Sequence, residues 1–308
     1  MPEGVSNSLV NLGDLAKPAD TLIKKVSKGI DGIFLPFQTV RLAKADAKAA
    51  LIKAQSEVEV TDIQRRAIRR WLNEEEQKQQ NIEDITRKSF QYLHDDTDAG
   101  NMDDDWVTNF FDKSKIVSDQ EMQVIWARVL AGEANSPGTY SKRTVNSLAD
   151  FDKRDAILFS KLCGFCFWGK IDSDSSEIFF PLIFKSNADI YSNAGINFSI
   201  LQHLDSIGLI KFDINSRFFF KKQPPKLFVS YYGETLCLEL LNDSYDNDLP
   251  IGQVLFTNTG QELSQIGSGT AVPAFMEYVK EQWKDYLPKP KKDDGVDQAI
   301  NGTNSSTD

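Results

Sequence analysis

From Arg41 to Gln80 the chain contains neither glycine nor proline. The stretch reads RLAKADAKAALIKAQSEVEVTDIQRRAIRRWLNEEEQKQQ and is dominated by Ala, Leu, Lys, Glu, Gln and Arg. These residues lose least on entering a helix, so so long a run without a breaker predicts a long helix. Its apolar content is thin: Val60, Ile63, Ala67 and Trp71 make one narrow seam, and the first half is mostly Ala. A helix this polar packs along a partner helix or reaches between bodies. A shorter amphipathic segment follows over 82–93, with Ile82, Ile85, Phe90 and Leu93. Residues 41–93 are read as a helical arm, and 41–79 as the element through which copies of the chain associate into a homo-oligomer.

The segments around the arm carry clearer punctuation. Over 15–33, Leu15, Ala19, Leu22, Val26, Ile30 and Ile33 recur at helical spacing, with Pro18 in the first turn, where a missing N–H does no harm. Residues 94–106 form an acidic loop, and a compact helical body is expected over 94–170. Its helices start at Asp105 or a neighbour, at Ser118 with Glu121 as a capping box, at Ser141, and at Asp152 or Lys153. After Gly169 the period changes. EIFFPLIF (177–184) reads as a strand whose Pro181 puts it at an edge. A helix stopped at Gly208, a short strand, two β-rich runs meeting near Gly233, and a strand, turn and helix capped by Thr257 or Thr259 complete 197–266. That order suits a winged-helix-like arrangement within an α+β module spanning 171–287, closed by an amphipathic helix over 273–287. The tail, 288–308, is polar and is expected to be disordered.

Cys163 and Cys166, in KLCGFCFW, have the spacing of a dithiol or half a zinc site. A reactive dithiol sits at a helix N-terminus, where the dipole lowers the thiol pKa; Cys163 falls near a helix end. Zinc needs four ligands, and Cys237, His94 and His203 lie at no finger-like spacing. Both cysteines are therefore read as core. Three cysteines in all fit a reducing compartment, and no secretory signal or apolar run of spanning length is found. With two histidines, no nucleophile elbow, and a GSGTAV (267–272) that lacks the following Lys-Ser or Lys-Thr of a phosphate loop, no catalytic constellation emerges. Asp103–Asp105 is read as helix capping. No cofactor or metal is expected.

The net charge of −10 disfavours indiscriminate polyanion binding, but two stretches run against it. Residues 17–53 hold eight Lys or Arg against three Asp. Lys24, Lys25 and Lys28, followed by Ile33, Phe34 and Phe37, suit contact with an anionic membrane surface or an acidic partner. Arg217, Lys221, Lys222 and Lys226 lie near RFFFKKQPPK and are the candidate nucleic-acid contacts. The helix 198–207 has no Arg or Lys and carries Asp205, leaving only Gln202 for base reading.

Residues 105–163 hold SDQEMQVIWARVLAGEAN, then Pro-Gly, then SKRTVNSLADFDKRDAILF. This pattern, together with Val26–Ala49, resembles a bacterial domain-of-unknown-function family, DUF2806, and is more distantly similar to the abortive-infection alpha (Abi-alpha) phage-resistance proteins. The resemblance implies a bacterial cytoplasmic protein with a role against phage, acting at the inner membrane surface. It carries over no catalytic residue. Its repeated W-A-x-x-L-A signature lands on Trp126, Ala127, Leu130 and Ala131, and its polar positions on Pro137, Ser141, Arg143 and Thr144. The expectation is a mainly α protein with a C-terminal α+β module: a basic amphipathic segment (1–40), a helical arm, a helical body and the winged-helix-like part. Its function is that of a non-enzymatic scaffold or sensor. A winged-helix DNA-binding regulator is the alternative.

Overall fold

The computed structural model describes residues 17–30, 61–169, 178–240 and 247–288. The chain is mainly α with a C-terminal α+β module. Helix α1 (Lys17–Gly29) has Pro18 in its first turn, and Ala19, Leu22 and Val26 form its buried stripe. It packs against α3 (Asp104–Ser114) and the 3-10 turn Ala99–Asn101. The approach is close: a Cβ on Gly29 would come within 2.5 Å of Val107 Cγ1.

The expected continuous helix over 41–79 is corrected at one end and extended at the other. Helix α2 runs Asp62–Ser89, and Thr61 is its N-cap in a full capping box with Gln64. A capping box satisfies backbone groups that a continuing helix would bond internally, so a helix begins here. The segment 82–93 is not separate: α2 absorbs it up to Ser89 and ends in a 3-10 turn, Phe90–Tyr92. Residues 41–60 lie outside the described residues. The two halves of α2 differ sharply. Asn81, Ile82, Glu83, Ile85, Thr86 and Ser89 are buried, whereas none of residues 62–80 is.

The C-terminal half of α2 packs on α4 (Gln120–Asn135), the central helix of the body, whose Trp126, Ala127, Val129, Leu130 and Ala131 are fully buried. The N-cap of α4 is Asp119 rather than Ser118; its carboxylate accepts from Glu121 N at 3.0 Å and Met122 N at 2.9 Å. Asp103 caps α3, accepting from Trp106 N at 2.7 Å. Ser141 caps α5 (Lys142–Ala149), and Asp152 caps α6 (Lys153–Cys163) in a second capping box with Asp155. The turn between α4 and α5 is fixed by buried Glu133, which accepts from Gly138 N at 2.7 Å and Tyr140 N at 2.9 Å.

Strand β1 (Cys166–Gly169) follows α6 directly and pairs with β2 (Ile178–Pro181), which is the edge strand, as Pro181 requires. The expected division at residue 170 therefore cuts β1 from its own sheet. Two short helices follow, α7 (Asp189–Asn193) and α8 (Phe198–Ser206). Strands β3 (Ile210–Phe212), β4 (Phe218–Gln223) and β5 (Lys226–Tyr231) then turn at Tyr232–Gly233 into β6 (Glu234–Glu239), β7 (Asn247–Gly252) and β8 (Val254–Phe256). Both turn residues have positive φ, 44° and 91°, the geometry of a tight hairpin turn.

The helix, strand and hairpin expected over 197–266 are present, but their pairing is nested. β3 pairs with β8, β4 with β7 and β5 with β6, so the described strands of 210–240 and 247–256 form a nested antiparallel ribbon divided among three sheets. Its tip also pairs with β1, giving a four-stranded sheet in the order β2-β1-β5-β6. Helices α9 (Asn258–Ser264), capped by Thr257, and α10 (Phe275–Gln282) are the last α-helices among the described residues; the tail expected to be disordered lies, from 289 on, outside them. Phe275 and Trp283 are fully buried and pack edge-on against Phe167 of β1. One continuous hydrophobic core joins the helical body to the sheet.

Candidate functional site

The basic N-terminal positions are engaged within the chain. Asp104 receives Lys25 Nζ at 2.5 Å and Lys28 Nζ at 2.6 Å. Hydrogen bonds from Lys25, and then Lys28, hold its carboxyl down at about 2. Lys24 pairs with Asp20 at 2.6 Å. The apolar stripe of α1 faces the core, so this stripe is not presented to a membrane or partner. Ile33, Phe34 and Phe37 lie outside the described residues.

Of the candidate nucleic-acid contacts, Lys226 pairs with Glu239 at 3.0 Å across the β5–β6 hairpin. Arg217, Lys221 and Lys222 are exposed, on or beside β4, and have no carboxylate within ion-pair reach among the described residues. On α8, Asp205 accepts from Phe212 N at 3.0 Å and His203 Nε2 sits 2.6 Å from Asp155. That helix is thus tied to β3 and α6. The sequence pointed to no partner for His203; the Asp-to-His separation of 48 residues hides it.

Cys163 and Cys166 are buried and unbridged. Burial pushes the Cys166 thiol well up, opposite to what a reactive thiol needs. No group of three or more His, Cys, Asp or Glu among the described residues has metal-binding geometry.

Two features are site-like. The first is the bare half of α2. Ile63 and Trp71 are 71% and 56% exposed there, with Ala67 exposed between them and Ile68 and Leu72 half-buried. Its charge is arranged in blocks: Arg65, Arg66, Arg69 and Arg70 precede Trp71, and Glu74, Glu75 and Glu76 follow it.

The second is a cavity of about 690 Å³ between α4, α6 and the segment 263–273. Sequence reading did not find it, because its walls come from stretches more than a hundred residues apart. Met122, Ile125, Ala156, Ile157, Leu263 and Val272 give it a mostly apolar lining. Arg128, Lys153 and Lys161 also line it, against the single acid Glu121. Lys153 is paired with Glu121 at 2.6 Å. The Arg128 guanidinium donates to Ile266 O at 2.9 Å and lies 5.3 Å from the Tyr92 ring centroid. Lys161 has no carboxylate within ion-pair reach among the described residues. The glycines of GSGTAV have a structural use here. A Cβ on Gly267 would come within 2.8 Å of Cys163 Sγ, and one on Gly269 within 2.6 Å of the Cys163 carbonyl carbon. They let the segment lie flat on the end of α6 as a wall of the cavity.

No described helix is long and apolar enough to cross a membrane. No curated protein and no solved structure matches the chain. A family of proteins of unknown function, DUF2806, matches residues 65–280. The match begins within the bare half of α2 and ends within α10. Inside it, the signature residues Trp126, Ala127, Leu130 and Ala131 are wholly buried, Ser141 caps α5, and Arg143 is exposed. With more than half of its 308 residues matched, the chain belongs to the DUF2806 family.

Proposed function

We propose that this chain is a non-enzymatic scaffold or sensor that self-associates through the bare half of α2. The observation that carries the reading is the exposure of Ile63 and Trp71 on a helix that joins the body only from residue 81, with no buried residue over 62–80. Large apolar side chains grouped on an exposed surface mark interaction sites. Ile63, Ala67 and Trp71 recur every four residues, the spacing of a helix-packing stripe. The charge blocks favour a second copy as the partner. Run antiparallel, the Arg block of one copy meets the Glu block of the other at both ends, a self-complementary contact of two-fold type. A parallel pair would set like charges side by side.

Two triple variants test this. One carries Arg66→Glu, Arg69→Glu and Arg70→Glu; the other carries Glu74→Lys, Glu75→Lys and Glu76→Lys. Each alone should sediment as a monomer, because the two blocks that meet in the antiparallel pair then carry mostly the same sign, and an equimolar mixture should form a heterodimer. An unaltered association state in both variants would remove the reading.

A DNA-binding regulator is a second reading, favoured by Arg217, Lys221 and Lys222, which stand exposed and without acidic partners among the described residues on the ribbon that follows α8. It requires retention on DNA that falls steeply with salt. It also requires loss of that retention in Lys221→Glu/Lys222→Glu. Retention that is absent or independent of salt would remove it.

A further inference from the structure

The cavity between α4, α6 and 263–273 has no part in self-association, and its chemistry points to a ligand. We propose that it binds a small amphipathic anion: an aliphatic or aromatic body with one acidic head group, held by Lys161 and Arg128. Four observations carry this. The volume, about 690 Å³, lies within the roughly 300–1,000 Å³ of small-molecule sites. The walls offer an apolar body contacts on two sides, from helix α6 and from the glycine-built segment opposite.

The charge at the lining is the third. Three cations against one carboxylate is a local excess opposite in sign to the chain's net charge of −10. Glu121 is matched by Lys153, which leaves Lys161 and the remaining guanidinium donors of Arg128 unmatched. A neutral or cationic ligand would leave that excess without a partner at the mostly apolar, partly open lining. An acidic head group would complete it. The fourth is spacing: Lys153 and Lys161 are eight residues apart on α6, about 12 Å along the helix, with Ala156 and Ile157 between them. The Lys153–Glu121 pair closes one end of this strip. Lys161 marks the end at which an acidic head is received.

The test uses the full chain and two fluorescent probes of similar shape, anionic 8-anilinonaphthalene-1-sulfonate and uncharged N-phenyl-1-naphthylamine. Dodecanoate serves as an unlabelled competitor. The expected result is one saturable site for the sulfonate per chain, displaced by dodecanoate, with the uncharged probe binding more weakly. Lys161→Glu should raise the sulfonate Kd by about tenfold or more, with little effect on the uncharged probe. Ala156→Trp and, from the opposite exposed wall, Thr270→Trp should each abolish binding by filling the space. Circular dichroism and melting temperature report folding, and the two filling variants alter different elements. Absence of saturable binding overturns the proposal, as does binding unchanged in both filling variants. Equal affinity for the two probes, with no response to Lys161→Glu, overturns the ligand class. Because no variant alters 62–80, loss of binding in the variants is read independently of the association state.

Discussion

Leu22→Ala tests whether the N-terminal helix belongs to the body. Leu22 and Val26 are wholly buried, and the α1 stripe lies on α3, where Gly29 meets Val107. Truncating a buried Leu to Ala costs about 2–5 kcal/mol, the spread reflecting how far the site collapses. The ion pairs of α1 are a smaller matter. Asp104 is about half exposed, at 49%, and such solvent-screened surface pairs contribute little. Packing therefore decides whether α1 stays down. At about 2–4 °C per kcal/mol for a chain of this size class, Leu22→Ala should lower the melting temperature by about 4–20 °C if the chain unfolds as one unit. If α1 detaches alone, the loss appears instead as fast hydrogen exchange over 17–30, with the rest still protected. Lys28→Glu should change either readout far less. The assay is a thermal melt paired with hydrogen-exchange mass spectrometry. An unaltered melt together with unprotected 17–30 in the parent chain would refute the packing argument and return the stripe to a membrane or partner.

Other expectations follow from particular sites. The folded pKa of Asp104 is depressed, so the stability it contributes is present above its ordinary value of 3.8 and is lost as pH falls toward about 2. Asp104→Asn should accordingly narrow its deficit against the parent between pH 4 and pH 2, as read from urea midpoints. Gly260→Ala places a methyl against the Leu209 carbonyl where α9 crosses the end of β3, and should destabilise by about 1–3 kcal/mol; a neutral melt would contradict this crossing. Cys163→Ser buries a hydroxyl in place of a fully covered thiol and should cost about 1–3 kcal/mol. Iodoacetamide at pH 8 should modify half-buried Cys237 well before Cys163 or Cys166 in the folded chain. Equal labelling of all three would show that the pair is not core.

What the sequence disclosed was local. Ser141 could be identified as a cap, and the caps Asp152 and Thr257 each narrowed to one of two residues, because a cap and its target lie within three residues. Pro181 marked an edge and Gly233 a turn for the same reason. The capping box at Thr61 was equally local, TDIQ, but it sat within a run of strong helix formers whose propensity masked the start signal. The ribbon was not legible. Ile210 pairs with Phe256 and Phe220 with Leu249, and no pattern in either strand names a partner that distant. The cavity was hidden for the same reason. Its basic residues sit on α4 and α6, and its opposing wall was read only as a failed phosphate loop.

The most direct test of self-association through the arm is sedimentation velocity of the unaltered chain beside Trp71→Glu, across a hundredfold range of concentration. The account predicts a concentration-dependent shift from one-chain to two-chain mass for the parent. It predicts a monomer throughout for the variant, with an unchanged melting temperature because Trp71 touches no core. A parent chain that stays monomeric over the whole range, or a variant that associates as the parent does, would contradict it.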